Sequence, residues 1–166
     1  MLLGILSDTH DEIEKLKQAI VLFNKRKVEL VIHCGDWVSP FMTRFLGELK
    51  CKIISVFGNN EGDIFTFLRK KHPFQIEFHR TIVELCISKK KFAVYHGHSP
   101  VILNALISSQ NYDYVLSGHT HIPEVRQYEK TLHINPGSCG GVNDERKATV
   151  AILNTEIGRA EIIELP

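Results

Sequence analysis

Three short apolar runs, Leu2 to Leu6, Leu30 to Ile32 and Ile53 to Phe57, each end abruptly at a polar cluster, and each is followed by a segment of helical periodicity. Runs this short read as buried strands and not as helices. After the first run, Ile13, Leu16, Ile20 and Phe23 recur at helical spacing. Asp11 and Glu12 fall in that first turn and Lys25, Arg26 and Lys27 in the last, the charge order that suits a helix dipole. Ser39-Pro40 reads as an N-cap with proline at the first helical position, which predicts a second helix to about Lys50. Phe65, Leu68 and Arg69 predict a shorter third. Strands that alternate with helices in this way build a parallel sheet.

Beyond Pro73 the pattern changes. Thr81 to Ile87 and Phe92 to Tyr95 flank a basic tip, Lys89-Lys90-Lys91, and predict a hairpin. Val101 to Ser108 has helical spacing, Tyr114 to Leu116 is a further strand, and from Val125 onward the runs are short and β-like, broken at Asn135-Pro136-Gly137 and Asn154-Thr155. The second half is therefore the richer in antiparallel strands. With 166 residues, 43% hydrophobic and 23% charged, and no linker or repeat, the chain is expected to form a single domain over residues 1–166. A net charge of +1 argues against a strongly basic nucleic-acid footprint, so no stable nucleic-acid complex is expected. The apolar start has no basic region or cleavage site and no run approaches a membrane span, so neither signal peptide nor membrane is expected. Cys34, Cys51, Cys86 and Cys139 stand singly, which fits reduced thiols and a cytoplasmic location.

Chemistry concentrates where the apolar runs end. Asp8-Thr9-His10, Gly35-Asp36, Gly58-Asn59-Asn60-Glu61, His96-Gly97-His98 and Gly118-His119-Thr120-His121 all occupy such positions. Loops at the carboxyl ends of sheet strands share one rim, so these five converge. Any one alone reads as a turn that solvates itself. Their recurrence in one register does not. Asp8, His10, Asp36, Asn59, His96, His119 and His121 form a set of oxygen and imidazole ligands without thiolate, suited to Mn²⁺, Fe²⁺, Ni²⁺ or Zn²⁺ and too many for one ion. Paired ions activate a bridging water and clamp phosphoryl oxygens, which points to phosphoester hydrolysis.

The order of these motifs, with Ser7-Asp8-Thr9-His10, Gly58-Asn59-Asn60 and Asn135-Pro136-Gly137-Ser138, resembles that of the calcineurin-like metallophosphoesterases, in particular their short archaeal and bacterial phosphodiesterase branch. The resemblance spans residues 7 to 139. It implies a four-layer α/β/β/α sandwich of two mixed β-sheets flanked by helices. It implies Asp8, His10, Asp36 and His121 around one divalent ion and Asp36, Asn59, His96 and His119 around the other, with Asp36 bridging and Mn²⁺ placed ahead of Ni²⁺, Fe²⁺ and Zn²⁺. The implied activity is hydrolysis of a small phosphodiester by a hydroxide bridging the two metals. Larger members carry a histidine as leaving-group acid where this chain has Asn60, and an amide cannot supply a full proton. His98 is a candidate substitute, with a supporting or merely exposed role as its alternative.

Two other functions compete with this one. A protein-interaction scaffold of the same fold, as in the related retromer subunit, would be expected to have lost ligands, and none of the seven is missing here. A phosphomonoesterase or protein phosphatase would be expected to bring extra basic residues, yet no arginine lies in the five motifs. His33 is read as a satisfied core residue, and His72, His79 and His133 as structural or surface. Trp37 and Phe41 are placed at the mouth of the site. The sequence leaves a homodimer open.

Overall fold

Alternation along the strands decides the architecture. In the computed structural model, which describes residues 1–69, 74–142 and 147–166, Leu3 and Ile5 of strand β1 (Leu2–Leu6) point into one apolar cluster while Leu6 joins another on the opposite face. A strand buried on both faces needs a layer on each side. One face of β1, β2 (Leu30–His33) and β3 (Lys52–Val56) is covered by α1 (Ile13–Lys25), whose Leu16, Ala19, Ile20 and Phe23 form its buried stripe. The other face meets a second sheet through Ile32, Ile54, Phe92, Val94, Leu116 and Ile134.

The six-stranded sheet runs in the order β11-β10-β1-β2-β3-β4, with β4 at Ile76–His79, β10 at Thr149–Asn154 and β11 at Arg159–Glu164. Strands β1 to β4 are parallel, and β10 joins β1 antiparallel. The five-stranded sheet has the order β5-β6-β7-β9-β8, from β5 (Ile82–Ile87), β6 (Lys90–Tyr95), β7 (Tyr114–Leu116), β8 (Glu124–Tyr128) and β9 (Thr131–Asn135). Helix α3 (Pro100–Ser108) covers its outer face, with Ile107 packed on Ala93 and Val115. Helix, sheet, sheet, helix is the four-layer sandwich expected, and both sheets are mixed.

Three local expectations need correction or addition. The segment Pro40–Glu48 is a 3₁₀ helix and ends before Lys50. Ser39 holds the N-cap position ahead of Pro40 as expected, but its side chain makes no capping bond, because its N–H and hydroxyl both donate to the Asp11 carboxylate, at 2.9 and 2.5 Å. That contact draws Asp11 out of α1, whose N-cap is Glu12. Strand β4 lies in a stretch to which the sequence pattern assigns no element. It adds a parallel edge to β3, with Ile76 and Phe78 turned to the helical layer and Glu77 paired with Lys52. The short α2 (Ile64–Arg69), the hairpin of β5 and β6, and α3 lie where periodicity puts them.

Candidate functional site

The parallel strands β1, β2 and β3 and the parallel pair β6 and β7 all end at one rim, and the five polar loops leave from it. The chain turns there in conformations that side-chain-bearing residues rarely adopt. Asp8, His10, Asp36, His119 and His121 all have positive φ, between 46° and 68°. Strain of this kind persists where surrounding structure fixes it, and it gathers at functional sites. Glycine makes the crowding tolerable. A Cβ on Gly58 would lie 2.0 Å from Asp36 Oδ1, and one on Gly118 would lie 1.9 Å from Ser7 Oγ and 2.5 Å from Asp8 Oδ2.

At the centre are two buried carboxylates among imidazoles. Asp8 Oδ1 lies 3.2 Å from His121 Nε2, 3.7 Å from His10 Nε2 and 4.0 Å from His96 Nε2. Asp36 Oδ2 lies 3.4 Å from His96 Nε2 and 3.8 Å from His10 Nε2. The potential ligand atoms gather as Asp8, His10 and His121 on one side and Asp8, Asp36 and His96 on the other. His119 sits beside the second group, its ring centroid 5.2 Å from that of His96, and its N–H donates to Asp8 Oδ2 at 3.0 Å. Asn59 and Asn60 are exposed on the loop after β3. Asn60 makes two bonds to Asp36, from its N–H to Oδ1 and from its amide to Oδ2, both 2.9 Å. His98 is exposed, 5.8 Å from His96 and 6.4 Å from His119 between ring centroids.

The outer hydrogen bonds show which way the imidazoles present their lone pairs. His96 Nδ1 faces the Cys34 carbonyl at 2.9 Å and His121 Nδ1 faces the Val142 carbonyl, so each Nδ1 is the donor. In the neutral tautomer Nε2 is then an acceptor aimed at a carboxylate. Asp8 Oδ1 and His96 Nε2 are buried with no hydrogen-bond partner, an arrangement that costs about 1–3 kcal/mol per group. A divalent cation resolves both conflicts, and an imidazole whose other nitrogen donates to a backbone carbonyl is the usual outer arrangement of a metal ligand. The same carboxylates and imidazoles shift one another's titration. Burial opposes ionisation of Asp8, but His10, His121 and His96 hold it well below the usual carboxylate range. Burial likewise opposes ionisation of Asp36, yet His96 and the Asn60 donors hold it at about 2. The Asp8 carboxylate, 3.2 Å from its Nε2, raises His121. His96 is raised by Asp36 and Asp8 against the cost of its burial. Burial and the neighbouring His96 lower His98 and His119.

Other sequence expectations sort cleanly. His33 is a satisfied core residue: Gly35 N–H donates to its Nδ1 at 3.0 Å and its Nε2 meets Thr9 Oγ1 at 3.1 Å, and burial lowers its pKa to about 3. Trp37 is fully buried, stacked on His33 at 3.7 Å and donating to Ser55 Oγ, so it does not line the mouth of the site. Phe41 is partly exposed. His133 bridges Ser117 and Glu124, and His79 pairs with Glu77. His72 lies outside the described residues. Of the lysine tip only Lys89 lies in the hairpin turn, beside Ser88; Lys90 and Lys91 open β6, and Lys90 pairs with Asp113. Sequence reasoning missed the anchors behind the ligands. Asn135 Nδ2 donates to Gly118 O and Thr120 Oγ1, Ser138 Oγ donates to Asp8 O, and Glu61 accepts N–H groups from two loops.

A four-layer sandwich brings carboxylates and imidazoles together at its strand ends as a candidate metal centre. The sequence profile of the calcineurin-like phosphoesterase superfamily domain matches residues 1–158. The chain belongs to that superfamily. It is 39% identical over 159 residues to a phosphodiesterase of Methanocaldococcus jannaschii, covering 94% of each chain. It is 25% identical to the phosphodiesterase YfcE of Escherichia coli over 95% of this chain and 89% of that one. Among solved structures, an archaeal phosphodiesterase superposes with a TM-score of 0.93 at 36% identity, covering 99% of this chain and all of the other. Zinc-bound Vps29 of Entamoeba histolytica superposes with a TM-score of 0.70 at 16% identity over 99% of both chains, a likeness of fold alone. Among the described residues no helix is long and apolar enough to cross a membrane.

Proposed function

We propose that the chain is a metal-dependent phosphodiesterase acting on a small phosphodiester through a dinuclear centre. The observation that carries this reading is the pair of buried, unpartnered atoms, Asp8 Oδ1 and His96 Nε2, together with the backbone carbonyls that occupy the other ring nitrogen of His96 and of His121. Asp8, His10, Asp36 and His121 would hold one ion and Asp36, Asn59, His96 and His119 the other, with Asp36 shared. Mn²⁺ is placed ahead of Ni²⁺, Fe²⁺ and Zn²⁺; the oxygen and imidazole donors admit all four, and availability of the ion decides between them. When bound, two such ions supply Lewis acidity at a phosphoryl oxygen and an activated water near neutral pH.

The chain's own residues set the limits of the reaction. Asn60 spends its amide on Asp36 and has no ionisable proton, so it cannot protonate a leaving group. His98 faces solvent beside His119, and its lowered pKa leaves it neutral at pH 7, suited to orienting a substrate oxygen. Without a strong acid, esters whose alcohols depart unprotonated are the better substrates. The absence of arginine from the five motifs favours a monoanionic diester over a dianionic monoester. Four free cysteines suit a reducing, cytoplasmic setting.

The test is hydrolysis of bis-nitrophenyl phosphate and nitrophenyl phosphate by chelator-stripped protein, with Mn²⁺, Ni²⁺, Zn²⁺ and Mg²⁺ restored singly beside an Asp36→Ala control. Restored diesterase activity that exceeds the monoesterase and vanishes in the control is expected. Protein that binds two ions yet cleaves neither ester would instead be a scaffold of this fold.

A further inference from the structure

Two residues of the loop after β2 stand in the left-handed region, Asp36 at φ 62° and Val38 at φ 76°. For a β-branched residue such as valine this is an outlier that only its surroundings can hold. Both N–H groups donate to a single side chain. Asp36 N reaches Glu61 Oε1 at 2.9 Å and Val38 N reaches Glu61 Oε2 at 3.4 Å. The same Oε1 accepts the Gly58 N–H at 2.8 Å, at the start of the loop that carries Asn59 and Asn60. The Gly62 N–H donates to Val38 O at 2.9 Å and closes the seam between the loops.

One half-buried carboxylate thus fastens two ligand-bearing loops through three backbone N–H groups. Among the described residues no lysine or arginine pairs with it, so its acceptor capacity goes to the backbone. A hydrogen bond with an ionised acceptor is roughly twice as strong as a neutral one, and here such bonds fall on the strained residues. We propose that Glu61 is a positioning residue: it holds Asp36 in its left-handed conformation and sets the spacing between Asp36 and Asn59, so that the two present to one ion. This rests on the site being a metal centre. Glu61 itself touches no reacting atom.

The experiment titrates metal-stripped full-length protein with Mn²⁺ in a calorimeter, for wild type, Glu61→Ala and Glu61→Gln, and records the amide-proton shifts of Asp36 and Gly58 in the metal-free forms. Outer hydrogen-bond partners of metal ligands typically carry about 10- to 100-fold in affinity. Glu61→Ala is expected to lose that much, chiefly at the ion that takes Asn59, and to move both amide protons upfield. Glu61→Gln keeps the length and one acceptor for Asp36 and Gly58 but turns an N–H donor toward Val38, so its loss is intermediate. Metal-free folding should persist in both, and if Glu61→Ala does not fold then Glu61→Gln alone decides. Variants that bind both ions as wild type does, or that lose both ions equally while their amide protons stay in place, would overturn the inference. Wild-type protein that takes up no Mn²⁺ would overturn the metal centre itself, a separate result.

Discussion

The Asn60 side-chain amide donates to Asp36 Oδ2 at 2.9 Å, while the Asn60 N–H holds Oδ1 at the same distance. The residue that stands where larger relatives are expected to keep an acid is therefore tied to the carboxylate at the centre of the site. Replacing it with histidine preserves the backbone bond to Oδ1 and exchanges the amide donor for a titratable ring. In Asn60→His the ratio of kcat/KM for alkyl over nitrophenyl diesters should rise by about 10² or more, since positioned proton transfer contributes about 10²- to 10⁴-fold. A series of diesters with graded leaving groups measures it. An unchanged slope would show that leaving-group protonation is not what this position lacks.

Crowding around the carboxylates gives the second prediction. Gly118 has Ser7 Oγ and Asp8 Oδ2 where a methyl group would go, whereas nothing lies within 4 Å of a Cβ placed on Gly47. Gly118→Ala should therefore lower folding stability by about 1–3 kcal/mol, the usual cost of overpacking, and displace Asp8 enough to weaken metal uptake. Gly47→Ala should do neither. Urea denaturation and a Mn²⁺ titration of the two variants make the comparison.

The third prediction concerns acid. His33 is fully buried, and its folded-state pKa of about 3 lies well below its ordinary 6.5, chiefly through desolvation. Above pH 6.5 both folded and unfolded chains keep it neutral and it has no effect. Below 6.5 the unfolded chain takes up the proton and the folded one does not, so stability falls with pH until the folded group also titrates near 3. From pH 7 to pH 5 the loss is about 2 kcal/mol. In His33→Gln this part of the pH dependence should disappear, as denaturation midpoints at pH 7, 6 and 5 would reveal. Equal slopes in both proteins would mean that His33 is not buried in its neutral form.

These residues also mark the boundary of what the sequence discloses. Layering follows from alternation, so Leu3, Ile5 and Leu6 announce a sheet covered on both faces. The ligand set is legible because strand ends in parallel sheets share a rim. The helix after Pro40 is legible but its type is not, because 3₁₀ and α turns place apolar residues at nearly the same intervals, and Ser39 at its N-cap turns its side chain to Asp11. Strand β4 has four residues and too little pattern to register. Trp37 was placed at the mouth because it follows a ligand, but one position along a turning backbone reverses a side chain's direction. Glu61, Asn135 and Ser138 act through backbone groups of distant loops, N–H groups for Glu61 and carbonyls for the other two, and a backbone group leaves no mark on a sequence.

The last prediction joins the metal to the fold. Asp8 Oδ1 and His96 Nε2 lack partners, and the neighbouring carboxylates raise His96 and His121 above the ordinary imidazole range, so protons compete with a cation for the same nitrogens. An ion that binds the folded chain at a free concentration a hundredfold above its dissociation constant stabilises it by about 2.7 kcal/mol. In a chain of this size that raises the melting temperature by roughly 5–10 °C. Each bound ion must displace protons from His96 or His121, so the increment should be full above the raised pKa values and shrink as pH falls through them, beginning above 6.5. Scanning calorimetry of stripped and Mn²⁺-loaded protein between pH 8 and 5.5 measures it, with Asp8→Asn expected to lose most of the increment at every pH. An increment independent of pH would place the ion away from these two imidazoles.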